Sequence, residues 1–573
     1  METKPTSNGP SLRAGLTYEP NMVKFGTSGR RGEIIHLTQL EVYINALAEV
    51  EYLQARAPAE GGIRKGDPFY YAYDLRPSSS HFVAGQQRRG EIVQAIERAI
   101  RDAGMQPMNL GAIPTPALAA YALARGNGCM MITGSHIPFD RNGFKTYSAR
   151  GELLKSDEAP INARVVQVRA RFYEQPYAES LFDSQGMFKC GHQELSPGSN
   201  AGRETYARRY TDFFAADSLH GLRLLVYQHS AVGRDLLVDI LKALGATVIT
   251  AGRSDTFVPI DTENIDDERL AVIQALAAQA GELDAVVSTD GDSDRPLILA
   301  AEHGRVKFFG GDLVGMVVAE FLGADAVVVP VNCNDALDRG PLKDVLEPKT
   351  RIGSPYVIAG MELARKKGRK AICGWEANGG FFLGSDINVA GRVLKALPTR
   401  DAVLPILGVL CSMRQKQLSM IGLFDQLPRR YSRSALLRNI SNAKGNQIVR
   451  LFTPASAAIR QIVFGGQQPV FLDAERRELP AAAAQVHEAE KIRSSLVEFF
   501  SPALGFGDIA RLDYTDGVRI YFGNDVVTHI RPSGNADELR IYALADTQTR
   551  ANEIAALGIA EPNGLLRRLE RAT

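Results

Sequence analysis

The sequence predicts an α/β protein of several domains, and three observations predict it. Short runs rich in Val, Ile and Leu alternate with longer amphipathic stretches, and strand–loop–strand units of one plan recur three times. The chain has 573 residues, 45% apolar and 23% charged, the balance of a globular protein far too long for one core. The alternation is clearest at LRLLVYQ (222–228), GRDLLVDILKALG (233–245) and ATVITAG (246–252), which read as strand, helix, strand. Domain-size statistics give about three to five domains.

Composition narrows the class further. The 66 basic and 65 acidic side chains nearly cancel, which argues against a nucleic-acid or membrane-surface protein and leaves local basic pockets for small anions open. The opening METKPTSNGPSLRAG lacks the basic-then-apolar pattern of a signal peptide and reads as a disordered tail over 1–20. The longest apolar candidate, AVLPILGVLCSM (402–413), is too short for a membrane span and contains Pro405. Five cysteines without a CxxC pair read as buried thiols of a cytoplasmic protein, and Cys190 with His192 lacks the second pair a metal site needs.

Turn-forming residues dominate 174–202, which reads as an extended connection. LPRRYSRSALLRNISNAKGN (427–446) is basic without an apolar stripe and reads as a linker. The expected division is a first domain at 21–180, a connection at 181–203, a second domain at 204–307, a third at 308–425, a linker at 426–446 and a last domain at 447–573.

The repeated units are GCMMITGSHIPFDRNGFKTYSARGE (128–152), LDAVVSTDGDSDRPLILAAEHGR (283–305) and KAICGWEANGGFFLGSDINVAGR (370–392). Each runs apolar strand, polar glycine-containing loop, second strand, glycine turn; only the loop chemistry differs. In DGDSDR, Asp290, Asp292 and Asp294 alternate, and on an extended backbone they point to one side. Three crowded carboxylates repel unless a cation neutralises them, and hard oxygen ligands favour Mg²⁺ or Ca²⁺. An EF-hand fails, because Arg295 stands where its glycine is required and Ala301 where its glutamate is. The competing reading is a solvated acidic turn, against which the apolar flanks count.

Ser135 and His136 in TGSHIP do not fit the hydrolase elbow, since Ile137 replaces its second glycine. Serine's other covalent role is to carry a phosphoryl group, whose oxygens could complete a metal's coordination. Read in isolation, the pair is an ordinary turn. Three carboxylates and a phosphate dianion total about −5 against +2 from a divalent ion, so cations must surround such a site. Arg295, His136 and Lys145 lie in the same two loops, with Arg30 and Arg31 as candidates from elsewhere. KFGTSGRRG (24–32) and IRPSGNADELR (530–540) combine backbone donors with arginines, as anion contacts do. There is no GxxxxGK[ST], and the nearest approach to GxGxxG, at 126–131, lacks its third glycine. Phosphate chemistry without a nucleotide is the favoured reading.

In this order, FGTSGRRG, TGSHIP, DGDSDR, GWEANGG and RPSGNADELR resemble the arginine, phosphoserine, metal, sugar and phosphate loops of the α-D-phosphohexomutase family, over roughly residues 24–545. The resemblance implies three related α/β units with mixed sheets covered by helices, plus a smaller C-terminal α+β domain, around a central cleft. It implies reversible phosphoryl transfer between the 1- and 6-hydroxyls of a hexose phosphate, through a hexose 1,6-bisphosphate that also serves as activator. Ser135 would be the phosphoserine, and Asp290, Asp292, Asp294 and a phosphoserine oxygen would hold Mg²⁺. Lys145 would be general base or acid, its pKa lowered by neighbouring arginines, with Arg31 and His136 assisting and Arg295 stabilising charge.

Substrate contacts implied by the resemblance are Thr27 and Ser28, Arg351, Gly353 and Ser354 in RIGSPYV, Glu376 and Asn378, and a phosphate socket of Arg531, Ser533, Gly534, Asn535 and Arg540. Glu376 would read the 3- and 4-hydroxyls, which exchange places when the sugar flips. Trp375, the only tryptophan, sits in the sugar loop, so substrate is expected to shift its fluorescence. Departures from the family pattern are Gly134 and Ile137 beside the serine, Asn378 where serine is usual, and Asn535-Ala536-Asp537 in the phosphate loop. Phosphomannomutase is the first expected activity, then phosphoglucomutase, then phosphoglucosamine mutase. A metal-dependent sugar phosphatase and a non-catalytic sugar-phosphate-binding protein are the rivals of other classes.

Overall fold

Two of the three loop-bearing strands are set into their sheets in the same way. Cys129–Ile132 runs parallel to Pro68–Tyr73 and antiparallel to Arg141–Ser148. Ala285–Thr289 runs parallel to Arg223–His229 and antiparallel to Pro296–Glu302. Each is an interior strand buried at every residue, which is why CMMI and AVVST read as unbroken apolar or small runs. Each loop is the hairpin that turns a parallel strand into an antiparallel one. The computed structural model that shows this describes residues 9–263, 265–533 and 537–573.

The chain forms two compact units, one of residues up to 311 with 378–420, the other of 312–377 with 421–573. The first unit contains a seven-stranded mixed sheet in the order Lys24–Phe25, Arg30–Glu33, Arg141–Ser148, Cys129–Ile132, Pro68–Tyr73, Gln106–Ala112, with Gly151–Glu152 beside Arg141–Ser148. Helices Gln39–Ala55, Ile92–Asp102 and Lys155–Tyr173 pack together with it. Ile92, Ile96 and Ile100 fall on one face at helical spacing and meet Leu40, Ile44 and Leu47 in the core. A five-stranded sheet follows, in the order Thr247–Arg253, Arg223–His229, Ala285–Thr289, Pro296–Glu302, Arg305–Phe308. Its first three strands are parallel and its last two antiparallel. Phe381–Leu383 and Leu397–Asp401 form an antiparallel pair in the same unit.

In the second unit Ala326–Val328 is parallel to Ile372–Trp375. The C-terminal part is an eight-stranded antiparallel sheet, ordered Tyr431–Arg438, Glu538–Ala545, Val527–Pro532, Val518–Phe522, Ile509–Asp513, Gln461–Val463, Val470–Leu472, Glu478–Leu479. Its core is joined by residues of helices Asn442–Leu451, Ala483–Phe499, Gln548–Ile559 and Leu565–Arg571.

Two segments differ from their sequence reading. The expected linker at 426–446 contains Tyr431–Arg438, an edge strand paired along its length with Glu538–Ala545. It carries no apolar stripe because half of it is exposed and only one residue is buried, and its pairing partner lies about a hundred residues on, beyond the reach of local pattern. The expected tail over 1–20 includes structured residues, with Ser11 capping the short helix Leu12–Gly15 and Leu12 buried in the first core. The 181–203 connection forms no long element, yet Phe182 and Phe188 stack on each other and join that core. Among the described residues, no helix is long and apolar enough to cross a membrane. Of the five free cysteines, only Cys190 is exposed.

Candidate active site

The 133–138 loop is held from below by a polar frame that local sequence does not announce. Ser135 has φ +54° and is buried. Its N–H donates to Thr133 Oγ1 at 2.6 Å, and Thr133 Oγ1 donates to Asp74 Oδ2 at 2.7 Å. Asp74 Oδ1 also accepts from the Arg76 N–H and from Ser79 Oγ. The buried Arg76 guanidinium then donates to three loop carbonyls, Ser135 at 3.2 Å, Ile137 at 2.9 Å and Pro138 at 2.6 Å, and stacks 3.9 Å over the Phe257 ring. A Cβ at Gly134 would lie 2.7 Å from the Arg76 guanidinium, so an alanine here would require the arginine to shift.

The second loop meets this one. Ser135 Oγ donates to Asp290 Oδ2 at 2.7 Å, and one ligand oxygen from each of Asp290, Asp292 and Asp294 lies within 4.8 Å of the others. The convergence does not come from an extended backbone. The loop is a turn with Ser293 at φ +57°, in which Asp290 Oδ1 accepts from the N–H groups of Asp294 and Arg295. Thr115 Oγ1 donates to Asp292 Oδ2 at 2.6 Å, and Lys145 Nζ donates to Asp292 Oδ2 at 2.8 Å and Asp294 Oδ2 at 2.5 Å. Arg295 Nε lies 3.6 Å from Asp294 Oδ1, and its NH1 donates to His136 Nδ1 at 2.8 Å, which puts the imidazole proton on Nε2. His136 Nδ1 is 3.5 Å from Ser135 Oγ. Arg400 approaches Asp294 Oδ2 at 3.7 Å.

The electrostatics follow from crowding in a dry place. Burial, then Asp292 and Asp294, push the Asp290 carboxyl well above the usual range. Burial also works against charge on Asp292, but Lys145, Thr115 and Arg295 outweigh it and hold that carboxyl below the usual range. Lys145 departs from the sequence expectation. Burial, Arg400 and Arg31 lower it, but Asp292 and Asp294 win and its pKa is raised, because two carboxylates touch it and the arginines do not. Burial pulls Arg31, which lies within electrostatic reach of Asp292 and Asp294, down to about 10. Arg30 is taken up elsewhere, in a buried ion pair with Glu49 at 2.6 Å.

The donor set fits a hard divalent cation. Asp292 Oδ1 and Asp294 Oδ1 are buried and accept no hydrogen bond among the described residues, and every candidate ligand is oxygen.

The remaining sequence candidates divide between the units. In the first, Thr27 and Ser28 occupy the turn before Arg30–Glu33, and Ser28 Oγ donates to Glu152 at 3.4 Å. Asn378 is buried, with its Oδ1 accepting from the Gly380 N–H and its carbonyl from Thr262 Oγ1. In the second, Glu376 is buried directly after Ile372–Trp375. Trp375 is fully buried against Gly315, so its indole sits in the core. Gly353 (φ +132°) caps helix Ser354–Lys366, Ser354 is buried in its first turn, and Arg351 is exposed beside Tyr356. Arg531 and Arg540 face each other on paired strands, and the Ser533 N–H closes the loop onto the Glu538 carbonyl at 2.8 Å. Gly534 and Asn535 lie outside the described residues.

Sequence reading missed Asp74, Arg76, Thr115 and Arg400. Each reaches its loop from a distant element, and only DLRPSS around Arg76, a polar cluster after an apolar strand, carried any local signal.

Models of the four phosphoglucomutase/phosphomannomutase domains match this chain in order: domain I at 22–171, domain II at 204–304, domain III at 310–431 and the C-terminal domain at 474–557. A phosphomannomutase of Salmonella muenchen is 37% identical over 93% of this chain and 94% of its own. One from Sinorhizobium fredii is 36% identical over 94% and 98%. Among solved structures, a phosphoglucomutase/phosphomannomutase family protein from Burkholderia thailandensis superposes with TM-score 0.63 at 18% identity, covering 97% of this chain and 98% of its own. The open form of parafusin, a phosphoglucomutase from Paramecium, gives 0.58 at 15%, covering 96% of each chain. With its four domains matched in order and relatives above one-third identity over nearly its whole length, the chain belongs to the phosphoglucomutase/phosphomannomutase family.

Proposed function

We propose that this phosphohexomutase interconverts mannose 6-phosphate and mannose 1-phosphate, with Ser135 carrying the phosphoryl group. One observation supports the reading above the rest: the Ser135 hydroxyl is hydrogen-bonded into a buried three-aspartate cluster, two of whose oxygens accept no hydrogen bond among the described residues. The sugar assignment rests on relatives. The phosphomannomutases align over more than nine-tenths of this chain, whereas a phosphoglucosamine mutase of Azorhizobium caulinodans is 29% identical over 62% of it.

In the forward step a sugar hydroxyl attacks the phosphorus of phospho-Ser135. The new O–P bond forms as the P–Oγ bond breaks, the hydroxyl proton passes to a base, and Oγ takes up a proton. The hexose 1,6-bisphosphate turns over, and its other phosphoryl group returns to Oγ by the reverse exchange. Asp290, Asp292, Asp294 and a phosphoserine oxygen would hold Mg²⁺, which supplies neutralisation of the charge that builds on the transferring group. Lys145 is the proton carrier: protonated at rest by its two carboxylates, it gives its proton to Oγ and, then neutral, takes the proton of the attacking hydroxyl. His136 and Arg295 brace each other beside Oγ, and Arg31 adds positive charge. Glu376 reads the sugar ring, assisted by Asn378. Thr27, Ser28, Arg351, Gly353 and Ser354 line the substrate path, and Arg531, Ser533, Gly534, Asn535 and Arg540 hold the distal phosphate.

The test compares turnover of mannose 1-phosphate, glucose 1-phosphate and glucosamine 1-phosphate, with peptide mapping after hexose 1,6-bisphosphate treatment. Mannose is expected to win, with one phosphoryl group on Ser135. A clear preference for glucosamine, or isomerisation by Ser135→Ala at near the parent rate, overturns the reading.

A further inference from the structure

A tight turn in the second unit reaches both the 351–354 loop and Arg531, and nothing in the reaction described above uses it. The turn, Tyr514-Thr515-Asp516-Gly517, joins strands Ile509–Asp513 and Val518–Phe522. Asp516 Oδ1 lies 3.6 Å from Arg531 Nε, and Asp516 Oδ2 accepts from the Ile352 N–H at 3.0 Å. Its backbone is pinned as well, since His529 Nε2 donates to the Asp516 carbonyl. His529 is fully buried and its pKa lies at about 3, so it is the neutral donor at physiological pH.

Gly517 shows that the approach is built rather than incidental. It sits at φ +79°, and a Cβ there would lie 2.3 Å from the Ile530 carbonyl oxygen and 2.8 Å from Arg531 Cβ. Only glycine lets the turn press this closely on the strand that carries Arg531. One carboxylate thus spans two segments that the sequence holds 179 residues apart.

We propose that Asp516 is a positioning residue that holds the Arg531 guanidinium and the backbone at Ile352 in register, so that both meet one sugar phosphate. This rests on Arg531 and the 351–354 loop being phosphate and sugar contacts. A carboxylate on an arginine can either orient it for an anion or compete with the anion. At 3.6 Å and partly exposed, the pair is too weak a trap to compete well with a phosphate dianion, so orientation dominates.

The experiment is calorimetric titration of mannose 1-phosphate into Ser135→Ala protein, which cannot turn it over, with and without Asp516→Asn, each also in an Arg531→Met background. Asp516→Asn should raise Kd about tenfold when Arg531 is present and less than about twofold when it is not. Asp516→Glu, which keeps the charge, should recover part of the loss and serves if the asparagine variant misfolds. Equal losses in both backgrounds, no change, or tighter binding each overturn the proposal. Isomerisation by the otherwise native protein is assayed in parallel. If it is absent while these affinities behave as stated, the mutase reading falls and the role of Asp516 stands. If mannose 1-phosphate does not bind at all, both fall.

Discussion

The two units each bury a cluster of charges, and the clusters are opposite in kind. In the first, three aspartates face one lysine and the edges of Arg295 and Arg400, and two carboxylate oxygens accept no hydrogen bond among the described residues. In the second, a single buried acid, Asp335, is shared by three cations. Its Oδ1 accepts from Arg519 at 2.6 Å and Lys349 at 3.2 Å, and its Oδ2 lies 3.7 Å from Arg430. Burial opposes charge on both Asp335 and Lys349, yet the partners prevail, so the acid is held below its usual range and the lysine above its own. Asp335 is surrounded on both oxygens, whereas the aspartate triad keeps oxygens in reserve. Burial and unusual pKa values therefore do not by themselves mark a functional site, and neither does unspent capacity alone, since Arg519 NH1 and Arg430 Nε also lack a hydrogen-bond partner among the described residues; what suits the triad to a cation is that its spare atoms are acceptors.

The largest expected effect tests the closed cluster. Asp335→Asn leaves the buried Arg519 without its counterion, and Lys349 and Arg430 with only Asp338 and Asp546, and should destabilise the second unit by about 3–5 kcal/mol, read as lost hydrogen-exchange protection there. Full protection in the variant would show that the cations find other partners.

Next comes the open cluster. Asp290→Asn should slow isomerisation at least about a hundredfold, roughly 2.7 kcal/mol of barrier, while leaving the first unit's exchange protection at or above the parent's, because burial and the two neighbouring acids disfavour its charge. Chelation with EDTA should abolish the parent's activity and Mg²⁺ restore it. A variant that loses fold and rate together would make this cluster structural, like the other.

A smaller effect is expected from acid. His529 has a folded pKa of about 3 against 6.5, so it costs nothing above about pH 6.5. Stability falls as pH drops from there, because the unfolded chain takes up a proton that the native state refuses. At pH 5 the loss should be about 2 kcal/mol, and His529→Gln, which keeps a donor for the Asp516 carbonyl, should flatten that slope. An unchanged slope would place the acid sensitivity elsewhere.

The smallest effect is expected at Gly134→Ala. Its methyl group would push on Arg76, costing about 1 kcal/mol and slowing phosphorylation of Ser135 by hexose 1,6-bisphosphate. A neutral outcome would mean that the arginine frame has room to give.

The loops that meet at the candidate site were legible because their signals are local. DGDSDR and TGSHIP each place their candidate polar groups within six residues, directly after short apolar runs that form buried strands. Lys145 was legible as a residue and misread as a titrating group, since its partners Asp292 and Asp294 come from a different sheet. The strand Tyr431–Arg438 was misread because an exposed edge strand needs no apolar stripe, only a partner.

By itself, then, the amino-acid order determined the α/β class, the repeated strand–loop–strand plan and which loops bear carboxylates, hydroxyl and cations, because period and composition act over a few residues. Tertiary structure alone decided that Arg76 fills the space beside Gly134, that Thr115 and Lys145 close on Asp292, and that Asp516 bridges Ile352 and Arg531. Those contacts join residues tens to hundreds of positions apart. Sheet order brings them together, and sheet order is settled by the cooperative burial of whole strands, which no short window of sequence contains.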